Sequence, residues 1–274
     1  MSTLTHTPAA NRSRLAEPAR QPRAHSPIPP TRLLWVELTK MFNTRSGFWL
    51  MASIGIFAAL ATTAVIVFAP DAEQTFATFS AAVGMPMAII LPMVAILSVT
   101  SEWTQRSGLT TFTLVPRRGR VLAAKVTVAV AVGVVSMVLA LGIGAIGHLV
   151  GTAISGLDPT WDVDAANFAT IVLGSVLGML MGFTLGVVLR SSAGAIVGYF
   201  VFAFVLPNVL FILGTLKPWF ADAQPWIDFY YSYTVLFEGV PTGEQWAQIA
   251  TSGLLWLVLP LLVGLRLLMR AEVK

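Results

Sequence analysis

Long apolar runs alternate with short polar segments along almost the whole chain. Six runs, at about 48–68, 79–100, 127–150, 168–189, 193–213 and 247–268, stand out. Each has roughly the 20 residues that cross ~30 Å of hydrocarbon as a helix. Lipid offers no partner for a free backbone amide, so a spanning segment of this length must be helical. The pattern therefore predicts an all-α integral membrane protein with six transmembrane helices. Before the first run the period changes. Leu34, Trp35, Leu38, Met41 and Phe42 form one stripe at helical spacing, opposite Glu37, Lys40 and Thr44. Thr31 is a suitable cap, and a basic amphipathic helix over 31–46 is expected to lie in the membrane interface. Residues 1–30 are rich in Pro, Ser, Thr, Ala and Arg, and are expected to form a disordered cytoplasmic tail. The remainder, 31–274, reads as one six-span domain.

Within the runs, three features modify this picture. Pro86 and Pro92 in the second span each remove a backbone donor, which predicts a kink there. Gly174, Gly178, Gly182 and Gly186 recur every four residues in the fourth span. That spacing leaves one helix face bare and lets another backbone approach closely, whether from the same subunit or a different one. Met85, Met87 and Met93 are expected to fill gaps rather than bind copper, because no other ligand accompanies them. Between the last two spans, residues 214–246 hold Trp219, Phe220, Trp226, Phe229, Tyr230, Tyr231, Tyr233, Phe237 and Trp246. This is the composition of short helices at a membrane–water boundary, serving as an aromatic belt or an outer gate.

Charge orients the spans. Arg and Lys gather in the N-terminal tail, in the second-to-third connection (Arg106, Arg117, Arg118, Arg120, Lys125), at Arg190 and at the C-terminus. The intervening connections carry Asp71, Glu73, Asp158, Asp162, Asp164, Asp222, Asp228, Glu238 and Glu244, with Lys217 the lone base. Basic loops stay in the cytoplasm, so both termini are expected there. The pI near 9.8 then reflects orientation and anionic lipid rather than nucleic acid. With no cysteine, disulfides, thiolate metal sites and Cys nucleophiles are excluded. His6, His25 and His148 are too scattered to form a metal cluster.

The spans hold almost no ionisable group beyond His148 near the end of the third and Arg266 near the end of the sixth. Ion-coupled carriers need charges at membrane depth, so that class is disfavoured. No buried carboxylate pair, HExxH or Ser-His arrangement points to an enzyme. No GxxxxGK[ST] phosphate loop occurs. The chain is expected to have no cofactor and no ATPase site of its own, so any ATP and magnesium would be bound by a partner.

The second-to-third connection is the most specific segment. It runs from Glu102 through Arg106, Gly108, Leu109, Phe112 and Leu114 to Pro116, Arg117, Arg118, Arg120 and Lys125. The apolar face of its short helix suits a groove on another protein, anchored by Phe112. These residues resemble the membrane subunits of ABC type-2 exporters: a glutamate leaving span two, a G-[TL]-x-x-x-L stretch, P-x-x-R, and a lysine entering span three. The resemblance covers about residues 31–274. It implies a permease of the bacterial plasma membrane that pairs with a second permease copy or paralogue and with cytoplasmic ATP-binding-cassette ATPases. It also implies that the Glu102–Arg120 loop is the ATPase-coupling element. An apolar interior suits a lipophilic cargo such as a drug, antibiotic, lipid or peptide. The alternative is a non-transporting scaffold or sensor that anchors a cytoplasmic partner.

Overall fold

The computed structural model describes residues 29–43, 45–104 and 118–270. The N-terminal tail apart from its last two prolines, and the centre of the second-to-third connection, lie outside the described residues. Among the described residues, eleven α-helices follow in order: α1 (Pro30–Asn43), α2 (Arg45–Phe68), α3 (Phe76–Thr104), α4 (Arg118–Ser155), α5 (Ala165–Leu189), α6 (Ser192–Phe200), α7 (Leu206–Leu216), α8 (Pro218–Ile227), α9 (Phe229–Thr234), α10 (Gly243–Gly253) and α11 (Leu259–Arg270). No strand occurs among them. Six helical stretches are long and apolar enough to cross a membrane: Gly47–Phe68, Phe76–Ser101, Gly119–Ser155, Ala165–Leu189, Ser192–Leu216 and Gly243–Leu267.

The third stretch begins well before residue 127 and ends beyond 150. Its helix α4 has 38 residues, about 57 Å at ~1.5 Å per residue. Sequence reading placed the boundary after Lys125, which it took as a lysine at the entry to the span. In the folded chain Lys125 is paired and buried, so the helix continues through it. The fifth and sixth stretches each contain a five-residue π-helical segment, Val201–Val205 and Leu254–Val258. Each segment leads directly into a Leu-Pro pair, Leu206-Pro207 and Leu259-Pro260. Proline lacks an N–H and crowds the carbonyl one turn back, and a wider turn accommodates both effects.

Helix α3 is the hub and packs against α2, α4, α5 and α6. Met87, Leu91, Val94 and Ala95 of α3 meet Met179, Phe183 and Val187 of α5 in the main apolar core. The glycine face of α5 makes this approach possible. A β-carbon on Gly182 would lie 2.8 Å from the Pro92 carbonyl oxygen, and one on Gly186 3.5 Å from that of Ile96. Farther along, Gly178 lies under the Tyr233 and Tyr199 hydroxyls, and Gly174 under Phe237. All four glycines thus face groups of the same chain. α3 itself remains helical through both prolines. Pro92 cannot donate to the Ala88 carbonyl one turn earlier. The buried Tyr199 hydroxyl donates to that carbonyl instead, at 2.8 Å. Of the methionines, Met87 is in this core, whereas Met85 is exposed.

The bundle has two chemically distinct ends. At the acidic end, Ser155 donates to Asp71 at 2.9 Å, the Phe76 amide donates to the Thr160 carbonyl, and the Ala77 amide donates to Asp162 Oδ1 at 2.7 Å. The connection between α4 and α5 therefore caps the start of α3. At the basic end, α5 closes on Arg190 in a left-handed conformation (φ 52°), and Ser191 caps α6. Between α7 and α10, the aromatic segment folds inward. Phe229, Tyr233 and Leu236 are buried beneath it, and Trp256 Nε1 donates to the Ile227 carbonyl at 2.7 Å.

Candidate functional site

Two places concentrate chemistry. The first lies at the basic end, where α1 meets the bundle. The helical stripe placed Glu37 on the polar, outward face of α1. The structure reverses this: Glu37 is the buried residue of the helix, while Trp35 is 69% exposed. Glu37 Oε2 accepts from Lys125 Nζ at 2.6 Å, and Oε1 accepts from Lys40 Nζ at 2.8 Å. Lys125 also donates to the Ser98 carbonyl of α3 at 3.3 Å. One ionic knot therefore ties α1, α3 and α4 together. The physical reason is desolvation: the buried ammonium of Lys125 needs an anion, and Glu37 supplies one. Burial pushes the Glu37 carboxyl up, but Lys125 and Lys40 outweigh it and hold the carboxyl below its ordinary value.

Of the residues singled out in the coupling loop, Arg106, Gly108, Leu109, Phe112, Pro116 and Arg117 lie outside the described residues. Glu102 falls in the last turn of α3, and Arg118 and Arg120 fall in the first turn of α4. The loop thus leaves and re-enters the bundle close to the knot. Sequence reading noted Lys125 only as a base entering a span. Its partner is 88 positions away, and no local spacing signals that pairing.

The second place is a cavity of about 510 Å³ at the acidic half of the bundle. Its walls come from α3 (Ala81, Gly84, Met85, Ala88, Pro92), α5 (Ile171, Gly174, Ser175, Gly178) and Tyr199, Ala203 and Phe204. The roof is the aromatic segment, with Tyr230, Tyr233, Thr234 and Phe237, and the mouth carries Asp162, Asn167 and Glu238. Small residues create the space. A β-carbon on Gly84 would meet nothing within 4 Å. Burial raises both the Tyr230 and Tyr233 phenols above their ordinary value, with a further push from Asp228, so both stay neutral hydroxyls. The volume falls within the ~300–1,000 Å³ common for small-molecule sites. The four-residue glycine spacing marked the α5 wall in the sequence, but only as a packing face.

Beside the cavity, His148 is fully buried, with ring centroids 5.6 Å from Phe79 and 5.2 Å from Trp161. Neither of its ring nitrogens has a hydrogen-bond partner, and the same holds for Thr62 Oγ1, Gln74 Oε1 and Ser80 Oγ. Among the described residues, no three metal-capable side chains converge. Compared with known proteins, the chain matches no family model and no curated protein.

Proposed function

We propose that this chain is the permease subunit of an ATP-binding-cassette exporter, moving a lipophilic cargo on energy supplied by separate ATPase subunits. The observation that carries this reading is the cavity. A membrane anchor has no use for a 510 Å³ chamber walled by glycines and alanines and roofed by its own aromatic segment. The charge asymmetry of the connections supports a basic, cytoplasmic end and an acidic, outer end. On that orientation, both termini and the Glu102–Arg120 loop face the ATPase, α1 lies in the inner interface, and the cavity occupies the outer half of the bundle. The apolar outer surfaces of α2, α6, α7 and α11, with residues such as Phe57, Val197, Phe211 and Val263 exposed, meet lipid and a second permease in the plasma membrane.

In this reading the ionic knot is the transmission. A push on the loop reaches α3 at Glu102 and α4 at Arg118, and Glu37 joins both helices to α1 through Lys125 and the Ser98 carbonyl. Movement of α3 alters the cavity, because Gly84, Ala88 and Pro92 are its wall. The ATPase shifts the permease only by binding one of its conformations better than the other.

The test is reconstitution with the candidate ATPase. Glu102→Ala and Phe112→Ala should uncouple ATP hydrolysis from export, and unchanged coupling would remove the loop from the mechanism. The cysteine-free sequence makes the orientation directly measurable. A single Cys placed at position 117 should resist a membrane-impermeant maleimide in intact cells, and one at position 158 should react.

A further inference from the structure

The chemistry of the cavity wall is lopsided, and it points to one class of cargo. The two ionisable side chains that line it besides its tyrosines are carboxylates, Asp162 and Glu238, and among the described residues its lining contains no Lys, Arg or His. Both carboxylates lie at the mouth. Glu238 follows the turn over Phe237, and Gly239 beside it packs toward the Asn167 amide oxygen. Deeper in the wall, three hydroxyl protons are already spent on backbone carbonyls. Tyr199 donates to Ala88, Ser175 to Ile171, and Thr234 to Tyr231. An oxygen that has donated its hydrogen still offers lone pairs, so these groups face the cavity as acceptors. Ser80 Oγ is buried in the same wall with no partner. Tyr230, Tyr233 and Phe237 add aromatic rings to the roof, and ring faces attract cations.

We infer that the cavity selects amphiphilic cations, with an apolar body against α3 and α5 and a positive head held at the mouth by Glu238 and Asp162. This rests on the reading of the cavity as the cargo site of an exporter. An anion of the same shape would meet two carboxylates and ring faces, with only neutral donors (the Ser80, Tyr230 and Tyr233 hydroxyls and the Asn167 amide) and no cationic side chain to replace its water. A cation gains from the carboxylates, ring faces and lone pairs, more strongly in a low-dielectric wall than in bulk water.

A matched pair of ions tests the inference: tetraphenylphosphonium and tetraphenylborate, alike in shape and opposite in charge. Equilibrium binding of each is measured on the purified full chain in uncharged detergent. The expected result is saturable binding of the phosphonium at one site and none of the borate. Gly84→Trp, which fills the chamber, should abolish that binding. Glu238→Gln, on an exposed side chain, should weaken it about two- to fivefold, and keeps the test open if the filling variant does not fold. Asp162→Asn retains an acceptor for the Ala77 amide and should act in the same direction. Equal binding of both ions, lost together in Gly84→Trp, would overturn the cation selectivity and leave the exporter reading standing. Saturable binding of neither ion would overturn the cavity as a cargo site, and with it the support the exporter reading draws from it.

Discussion

At the basic end of the bundle, a buried carboxylate and a buried ammonium pair with each other, and Lys40 and a backbone carbonyl join them. At the acidic end, His148, Thr62 and Ser80 are equally buried, yet their side-chain polar atoms have no hydrogen-bond partner, and Gln74 Oε1 has none either, although its Nε2 donates to the Ala69 carbonyl. A closed network fixes the geometry of the helices that contribute to it, because opening it leaves a bare charge in a poor solvent. At the acidic end the helices are tied instead by neutral and single-charge hydrogen bonds, Ser155 to Asp71 and the Phe76 and Ala77 amides to the connection between α4 and α5, which leave the buried polar atoms beneath them unpaired. The two ends therefore differ in how buried polarity is met, by a charge pair at one and, for these side chains, incompletely at the other.

The largest effect should come from breaking the knot. Lys125→Ala leaves Glu37 buried without its main partner and should cost about 3–5 kcal/mol, seen as a lower thermal midpoint of tryptophan fluorescence in detergent. Glu37→Met with Lys125→Leu should recover most of that loss. If the double variant is as unstable as the single one, the pair is not the source of the rigidity. Acid sharpens the same point. The Glu37 carboxyl titrates below its ordinary 4.5 in the folded chain, so the knot's contribution is complete above that value. It should fade as pH falls through the lowered value, and the Met/Leu double variant should lack this acid sensitivity.

Next comes the close approach of α3 and α5. Gly182→Leu puts a β-carbon 2.8 Å from the Pro92 carbonyl oxygen and should cost about 1–3 kcal/mol or more by overpacking. Tyr199→Phe should have a smaller effect, about 1–2 kcal/mol, because the Ala88 carbonyl loses the donor that replaced the missing proline N–H. In the same fluorescence assay, a Pro92→Ala background should largely erase that penalty, since an alanine at this position supplies its own amide. The smallest change is expected at the open end. His148→Phe removes two unpartnered nitrogens and should leave stability within about 1 kcal/mol of wild type, or raise it. A loss much larger than that would mean the imidazole nitrogens are hydrogen-bonded in the folded protein.

Sequence by itself determined the class of the protein. Six apolar runs of helical length and an alternation of basic and acidic connections, broken only by Lys217, are local properties. Lipid enforces the first, because it penalises free amides and buried charge residue by residue, and the retention of basic loops in the cytoplasm accounts for the second. The bare face of α5 was equally visible, since the four-residue glycine spacing is read along a single helix. What only the tertiary structure decided are the long-range pairings. Glu37 looked like a surface residue because its neighbours on α1 alternate as an amphipathic helix should, and nothing local reveals an ammonium 88 positions away. Lys125 looked like the entry to a span, since its partner is as far away in the sequence. The cavity belongs to no single segment: α3 and α5 supply its small residues, Tyr199 and the folded-in aromatic segment close it, and the connection between α4 and α5 brings Asp162 to its mouth. Periodicity records which face of a helix is apolar, but burial of charge and the enclosure of empty space depend on which faces meet, and that is settled by packing.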